Sequence, residues 1–230
     1  MEQIFLTEQL QTKLFQIKLF DNLPLNLKGS FIEKLDYSVY KIRKNDIVAR
    51  QNTLCRQLMI LLEGKLRVDS IDASDNEILI EYIVAPRTFA TPYLFNQDKM
   101  LPATFKSEGD GVILLANKES LFSLFNDAPH LLKNFLCVVG NCTKCSTVRL
   151  RILSYKNIRS RFIAYLFEQR FGDDHSINME HNQVELADYL GVTRPALTKE
   201  ISKMAKEGLL SIRGKQVVLL NIPGLERYLL

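Results

Sequence analysis

The side chains best suited to chemistry are the basic and hydroxyl groups that recur between positions 193 and 203, in the sequence TRPALTKEISK. On a helix whose packed face holds Leu197, Ile201 and Met204, the other face would show Arg194, Thr198, Lys199 and Lys203. Such groups donate hydrogen bonds to phosphate oxygens and base edges, so this face predicts contact with nucleic acid. The alternative is a helical hairpin whose charged face meets only solvent.

The elements that would position this face form a predicted helix-turn-helix at residues 183–210. The first helix has an apolar stripe of Leu186, Ala187 and Leu190, and the second has one of Leu197, Ile201, Met204 and Gly208. Between them, Gly191 suits the left-handed conformation that ends a helix, Thr193 is a predicted N-cap, and Pro195 falls in the first helical turn. In such a motif the second helix lies in the DNA major groove.

A β-hairpin is predicted directly after the second helix. Its strands lie at 211–212 and 216–220, and the turn between them is Arg213-Gly214-Lys215. A hairpin in this position forms a wing, and its two basic residues would lie where a phosphate backbone passes. The wing therefore favours the DNA-binding interpretation.

The charge distribution separates two regions of the chain. Residues 1–145 carry 17 Lys or Arg and 17 Asp or Glu, whereas residues 146–230 carry 13 and 9, so the C-terminal third holds the whole net charge of +4. This asymmetry predicts that only the second region meets a polyanion. A predicted hinge at 154–157 is surrounded by basic residues with no acid among them: Arg149, Arg151, Lys156, Arg159 and Arg161.

Other classes of protein are disfavoured by what the sequence lacks. No apolar run has the length of a membrane span, the N-terminus MEQIFLTEQLQTKLF is not a secretory signal, and four cysteines without framework spacing favour a reducing cytoplasm. The sequence shows no nucleophile–base motif and no phosphate-binding loop, and His130, His175 and His181 have no ligand spacing. We therefore expect neither an enzyme nor a metal site.

The N-terminal half is predicted to hold a β-sandwich or small barrel. Residues 1–30 predict one or two short helices, after which short apolar runs alternate with turns. The predicted strands lie at 37–42, 47–49, 58–62, 65–68, 77–84, 104–106 and 112–115, with a turn at 73–76.

A long helical pattern extends from Lys118 to about Tyr155, with Pro129 in its early part, and carries two adjacent apolar stripes. The first stripe is Leu131, Phe135, Val138, Cys142, Cys145 and Ile152; the second is Leu132, Leu136, Val139, Thr143, Ser146, Leu150 and Leu153. A helix that is apolar on two faces needs two partners, which would be its own barrel and, given the heptad spacing, the same helix of a second chain. We assign the first stripe to this dimer seam; one wide stripe facing a single core is the alternative.

A barrel, a long helix, a hinge and a winged helix-turn-helix, in that order, resemble the Crp/Fnr family of bacterial transcription regulators. The resemblance covers nearly the whole chain and is carried by VELADYLGVTRPALTKEISKMAKEGLL and by KNDIVARQN…LMILLEGKLRV, where Gly64 takes the place of the family's strand-turn glycine. It implies an α+β fold with an antiparallel, jelly-roll, cyclic-nucleotide-binding-like barrel at 1–117, a dimerisation helix and hinge at 118–155, and a DNA-binding domain at 156–230. It further implies a cytoplasmic homodimer that binds a double-stranded DNA operator and RNA polymerase but no membrane.

The resemblance also implies which residues contact DNA. They are Thr193, Arg194, Ala196, Thr198, Lys199, Lys203, Arg213 and Lys215, of which Arg194, Ala196, Thr198 and Lys199 would lie nearest the bases. Several members of the family have an acidic residue where Pro195 stands, and a carboxylate there can accept a hydrogen bond from a cytosine amino group. Proline cannot, so we expect a different operator half-site.

The effector site departs from the family pattern. Members that bind cyclic AMP hold its ribose with a Gly-Glu pair and its phosphate with an Arg-Ser pair, at places where this chain has Ala90-Thr91 and Leu101-Pro102. A buried phosphate without a cation is poorly compensated, so we expect that cyclic AMP binding has been lost. The candidate effector pocket is Phe89, Ala90, Thr91, Tyr93, Leu101, Pro102 and Ala103. An apolar ligand, haem and no ligand remain alternatives, together with plain core packing of these side chains.

Three cysteines, Cys137, Cys142 and Cys145, raise the alternative of an iron–sulfur cluster, because Fnr-type relatives sense oxygen with one. Those relatives place most of their cysteines before the barrel, whereas this chain has none there. On a helix Cys137 lies about 140° from Cys142, so small residues in a coiled-coil seam explain the group better. For a haem, His130 or a cysteine would be the axial ligand. A signal-sensing module that acts through protein partners is the second function left open.

Overall fold

The structure, a computed structural model, describes residues 1–73, 76–98 and 100–229, without the side chains of Leu25, Asn26 and Thr143. The chain divides into two units, residues 1–142 and 143–230, and the boundary falls inside its longest helix. None of the helices in the described chain is both long enough and apolar enough to cross a membrane.

The strands of the first unit form two antiparallel sheets. Those described are β1 (Glu2–Ile4), β2 (Tyr37–Ile42), β3 (Ile47–Ala49), β4 (Gln57–Glu63), β5 (Lys65–Ile71), β6 (Glu77–Val84), β7 (Arg87–Phe89), β8 (Thr104–Ser107) and β9 (Gly111–Asn117). One sheet has the order β1-β2-β9-β4-β7 and the other the order β3-β8-β5-β6, and side chains of both enter one hydrophobic core. The predicted barrel is therefore a pair of sheets that are not closed into one.

Most of the strands lie where alternation and turn residues predict them. The predictions at 37–42, 47–49 and 77–84 match β2, β3 and β6, and the other four predicted strands of this unit extend beyond their predicted ends. Residues 2–4, which we assigned to a helical region, instead pair with β2, with Glu2 opposite Lys41. The predicted turn at 73–76 lies partly outside the described residues, which do not include Ser74 and Asp75.

A single glycine sets the tight connection between β4 and β5. Gly64 has a φ of +92°, and a Cβ at this position would lie 2.8 Å from the carbonyl oxygen of Asp110. Both the backbone conformation and the close approach of a neighbouring chain segment thus require glycine. This is the glycine that the sequence placed at the strand turn.

Four helices belong wholly or partly to the first unit as described. They are α1 (Glu8–Leu14), α2 (Leu25–Lys34), α3 (Lys118–Asp127) and α4 (Pro129–Ser154). The single predicted helix from 118 to 155 is wrong in one respect, since it is broken at Ala128, whose φ and ψ are −137° and 81°. Proline disfavours the helical conformation of the residue before it, and Pro129 starts a new helix instead.

Burial along α4 differs between the two predicted stripes. Leu131 and Phe135 belong to the core of the first unit, and Ile152 belongs to the core of the second, so their own chain already covers them. The remaining members of that stripe, Val138, Cys142 and Cys145, are half-buried or exposed. The outward apolar face is formed by the second stripe, in which Leu132, Leu136 and Leu150 are exposed; the side chain of Thr143 lies outside those described.

The second unit combines helices with a small sheet. Its remaining elements are α5 (Ile158–Gln169), β10 (Ser176–Asn178), α6 (Gln183–Tyr189), α7 (Arg194–Lys206), β11 (Leu210–Arg213), β12 (Gln216–Leu219) and α8 (Ile222–Glu226). The sheet order is β10-β12-β11. The sequence did not predict β10, and the predicted hinge at 154–157 coincides with the break between α4 and α5.

Candidate nucleic-acid interface

The helix α6 begins at a reciprocal pair of hydrogen bonds. The Asn182 side chain accepts from the backbone N–H groups of Val184 and Glu185 at 2.9 and 3.0 Å, while the Glu185 carboxylate accepts from the Asn182 N–H at 3.0 Å. This capping box fixes the start of the helix. The sequence analysis missed it, although the Asn-x-x-Glu spacing at 182–185 was a usable signal.

The turn between α6 and α7 follows the predicted chemistry. Gly191 has a φ of +64°, and the N–H of Val192 donates to the Ala187 carbonyl at 3.0 Å, so the helix ends in a left-handed residue. Thr193 stands at the N-cap of α7 with extended backbone, but its hydroxyl makes no capping hydrogen bond. Pro195 lies in the first turn of α7, as predicted.

The packed face of the motif is the predicted one except at Gly208, which is exposed and follows the end of α7. The apolar side chains of both helices lie in the core of the second unit, where they are less than 5 % exposed: Leu186, Ala187, Leu190, Leu197, Ile201 and Met204. Burial of this stripe fixes which side of α7 turns outward, because the two helices can cover it only by facing each other and the rest of the core.

The outward face of α7 carries the residues predicted to contact DNA. Thr193, Arg194, Thr198, Lys199 and Lys203 are exposed, and Ala196 is half-buried. Among the described residues, no carboxylate forms an ion pair with Arg194, Lys199 or Lys203. The cations of this face are thus available to an external anion.

The wing is formed by β11 and β12, whose pairing ends with Arg213 opposite Gln216. Gly214, with a φ of +63°, makes the two-residue turn possible. Arg213 is exposed, whereas the Lys215 ammonium donates to the Glu180 carbonyl at 2.7 Å. Lys215 therefore ties the wing to the segment before α6, a contact that the sequence did not reveal.

The basic residues around the hinge have partners that come from distant parts of the sequence. Arg149 donates to the Tyr189 carbonyl at 3.3 Å and Arg161 to the Leu190 carbonyl at 3.0 Å, so both hold the C-terminal end of α6. Arg151 forms an ion pair with Glu168. The absence of acids in the local sequence thus does not show that these arginines are available to an anion, because the fold brings carbonyls and carboxylates to them from elsewhere.

An aromatic cluster lies beside the start of α6. The Tyr165 hydroxyl lies 3.0 Å from Nδ1 of His181, and the rings of His181 and Tyr189 lie 4.8 Å apart. Burial raises the pKa of Tyr165 to about 12 and lowers the pKa of His181 below its ordinary value. The folded unit therefore favours a neutral imidazole at this place.

The predicted effector residues are mostly packed into the core of the first unit. Phe89, Leu101 and Ala103 are buried, and the ring of Phe89 lies 5.2 Å from that of Phe105. Ala90 and Tyr93 are half-buried, and Pro102 is exposed. Thr91 is buried, and its hydroxyl has no hydrogen-bond partner among the described residues.

A surface cavity of about 460 Å³ opens elsewhere in the first unit. It is lined by Leu54, Arg56, Gln57, Asn117, Lys118 and Glu119, and none of the predicted effector residues belongs to that set. The described residues offer no group of three or more His, Cys, Asp or Glu side chains that could hold a metal ion. Cys55 is buried, and burial raises the pKa of its thiol, whereas Cys137 and Cys145 on α4 are exposed.

Comparison with known proteins matches both units. Residues 39–128 match the model of the cyclic nucleotide-binding domain, and residues 160–228 match that of the Crp-like helix-turn-helix domain. The fumarate and nitrate reduction regulatory protein of Vibrio cholerae is 20 % identical over 208 residues, which are 86 % of this chain and 82 % of that protein. The transcriptional regulator SdrP of Thermus thermophilus is 23 % identical over 171 residues, which are 72 % of this chain and 80 % of that protein. The structure of a CooA mutant from Carboxydothermus hydrogenoformans superposes with a TM-score of 0.69 at 17 % identity, over 93 % of this chain and 100 % of that one.

Proposed function

This chain belongs to the Crp/Fnr family of transcription regulators, and on that premise we propose that it reads its operator with the outward face of α7. The observation that carries the proposal is the exposed set Arg194, Thr198, Lys199 and Lys203, whose cations form no ion pair with a carboxylate of the described residues. Arginine and lysine at the N-terminal part of a recognition helix can reach guanine acceptors, and threonine can reach either strand.

Specificity is proposed to come from the first turns of α7, and phosphate contact from the wing. Arg194 and Thr198 are one helical turn apart and point the same way, so they would meet neighbouring base pairs. Pro195 between them offers no donor, so it would contribute only apolar contact. Arg213 of the wing is exposed and would meet a phosphate, whereas Lys215 would first have to leave the Glu180 carbonyl.

The regulator is proposed to act as a homodimer joined through the outward face of α4. Leu132 and Leu136 are exposed there, one turn apart, and an apolar helix face of this kind is covered when the same helix of a second chain packs on it. A two-fold dimer presents two recognition helices one turn of DNA apart, about 34 Å. We place its action, and any contact with RNA polymerase, in the bacterial cytoplasm, where thiols such as that of Cys137 stay reduced.

The N-terminal unit is proposed to have lost cyclic-nucleotide binding. Leu101 stands where an arginine would neutralise the phosphate, and it is buried in the core together with Phe89 and Ala103. Thr91 stands where a glutamate would hold the ribose, and its short side chain is also buried. A cyclic phosphate at this place would have to displace packed apolar groups and would gain no cation in return.

The experiment that tests the DNA-reading face is Arg194→Ala in the full chain. The probe is a duplex selected by the wild-type chain from a random pool. Loss of a good base contact should weaken binding by about 5- to 150-fold, the range expected for one bidentate pair. Arg227→Ala is the matched control, because Arg227 is exposed in the same unit but lies outside α7 and the wing.

The salt dependence separates this function from a module that acts only through protein partners. Binding through phosphates weakens steeply with salt, because each neutralised phosphate releases counterions. A DNA affinity that Arg194→Ala leaves unchanged would show that α7 is not the reading helix. A chain that selects no duplex, or whose binding ignores salt, would favour the protein-partner function instead.

A further inference from the structure

Arg159, near the start of α5, makes polar contacts with three residues that lie far along the chain. Its Nε donates to Glu200 at 2.5 Å, and its two terminal nitrogens donate to the two oxygens of Glu207 at 2.7 and 3.0 Å. One of these nitrogens also donates to the Tyr228 hydroxyl at 2.8 Å. The Arg159 side chain is only 11 % exposed, whereas the Glu207 side chain that it binds is 35 % exposed.

The two carboxylates hold α7 at two separate points. Glu200 and Glu207 are seven residues apart, so they lie on the same side of the helix and about 10 Å apart along its axis. One guanidinium that binds both resists rotation of the helix about its axis as well as tilting of the helix against α5. Glu200 lies about 160° around the helix from Thr198 but only about 60° from Lys203, so Arg159 binds a flank of α7 and not the side that carries Thr198.

The C-terminal segment completes the arrangement from a third direction. The ring of Tyr228 lies 4.8 Å from the Arg159 guanidinium, and the neighbouring Ser160 hydroxyl donates to the Tyr228 carbonyl at 2.7 Å. Its hydrogen bonds to Arg159 hold the pKa of Glu207 below its usual range, which favours the charged form that the arrangement needs. These contacts use four of the five N–H donors of Arg159, so little of the guanidinium is left to offer a phosphate.

We infer that Arg159 is a positioning residue for DNA reading: it sets the rotation and tilt of α7 through Glu200 and Glu207, without touching DNA itself. The inference rests on the proposed function, in which α7 is the reading helix. Its consequence is that Arg159 controls discrimination between DNA sequences more than total affinity for DNA.

The size of the displacement that matters is small. Side-chain ends on a helix lie about 5–6 Å from its axis, so a rotation of about 15° moves them by roughly 1.5 Å. A hydrogen bond lengthened by that amount is lost, because donors and acceptors must stay within about 3.2 Å. Phosphate attraction depends on charge and tolerates such a shift, so only base reading should suffer.

The test compares Glu207→Gln, Arg159→Lys and the control Glu226→Gln, each in the full chain. Glu226→Gln changes net charge by the same amount as Glu207→Gln, but Glu226 is an exposed residue of α8 outside the Arg159 contacts. The readout is the ratio of two dissociation constants, one for a duplex selected by the wild-type chain from a random pool and one for an unrelated duplex of equal length, each measured over a salt series.

For Glu207→Gln, a purely electrostatic effect and a positioning effect predict opposite changes in affinity for the selected duplex. Removal of a negative charge alone should strengthen binding to both duplexes, as we expect for Glu226→Gln. Positioning predicts that Glu207→Gln weakens binding to the selected duplex by about tenfold or more, a typical effect for lost charge-assisted hydrogen bonds, while binding to the unrelated duplex holds or improves. Arg159→Lys, which keeps the charge but loses the planar fork, should lower the specificity ratio in the same way.

Three results would overturn the inference. One is a specificity ratio that stays at the wild-type value in both Glu207→Gln and Arg159→Lys. Another is equal weakening of binding to both duplexes in Arg159→Lys, which would identify a contact with the DNA backbone. The third is a specificity ratio that is lowered by the same amount in the control Glu226→Gln.

If Arg159→Lys does not fold, as judged by its thermal transition, the exposed Glu207→Gln variant decides alone. If Arg194→Ala also leaves the specificity ratio unchanged, the assignment of α7 as the reading helix is wrong. If Arg194→Ala lowers the ratio and the Arg159 and Glu207 variants do not, only the positioning role of Arg159 is refuted.

Discussion

Truncation of Leu136 on α4 should weaken the proposed dimer without unfolding the chain. The Leu136 side chain is 60 % exposed, whereas Leu131, five residues earlier on the same helix, is 1 % exposed. Full burial of a leucine contributes about 1.5–3 kcal/mol, so covering the exposed part of Leu136 would contribute about 1–2 kcal/mol in each chain. In a symmetric dimer two copies act, so Leu136→Ala should raise the dimer dissociation constant by about 30- to 700-fold.

The measurement is sedimentation equilibrium over a concentration series, with Leu131→Ala as the matched comparison. Leu131 packs in the core of the first unit, so its truncation should lower the free energy of unfolding by about 2–5 kcal/mol and leave association of the folded chain nearly unchanged. The reverse outcome would refute the reasoning. If Leu131→Ala dissociates a folded dimer and Leu136→Ala does not, the first stripe is the seam, and exposure in the single chain misidentifies it.

Two further predictions concern the stability of each unit. Burial lowers the pKa of His181 below the usual 6.5. Between the two pKa values the unfolded chain therefore binds a proton that the folded unit does not. The contribution of neutral His181 to the free energy of unfolding is fully present above about pH 6.5 and is lost as the pH falls through the lowered folded value. The Tm should therefore drop between pH 7.5 and 5.5, and an equal drop in His181→Gln would exclude this histidine as the cause. Gly64→Ala should cost at least about 1–2 kcal/mol, because its φ is +92° and its Cβ would meet the Asp110 carbonyl. Gly109→Ala, where nothing lies within 4 Å of the added Cβ, is the comparison that should unfold like wild type in urea.

Strands and helices with strong periodicity could be predicted from the sequence, and the shortest ones could not. The alternation in Tyr37–Ile42 and Glu77–Val84 spans enough residues to mark both ends of β2 and β6. Strand β7 has only three residues, and it exists because Met59 and Phe89 pair across two strands. Such pairing is set by tertiary contacts that leave no local period in the sequence.

Part of the candidate site could likewise be predicted from the sequence, and part could not. The exposed face of α7 follows from the helical period and the apolar stripe, so the positions of Arg194, Thr198 and Lys199 could be predicted. The partners of Arg159 could not, because Glu200 and Glu207 lie 41 and 48 residues further along the chain. Only the fold decides which of many carboxylates a given arginine meets.

These pairings explain how a net charge of only +4 can leave a positively charged face on α7. Of the nine carboxylates after residue 145, those of Glu168, Glu200 and Glu207 bind arginines of α4 and α5. Two of the three stand on or directly after α7, where unpaired they would repel a phosphate backbone. Because Arg159 neutralises them, the cations of the outward face of α7 set the local potential. If α7 reads DNA as proposed, Arg159 thus favours binding by occupying the acids of that helix.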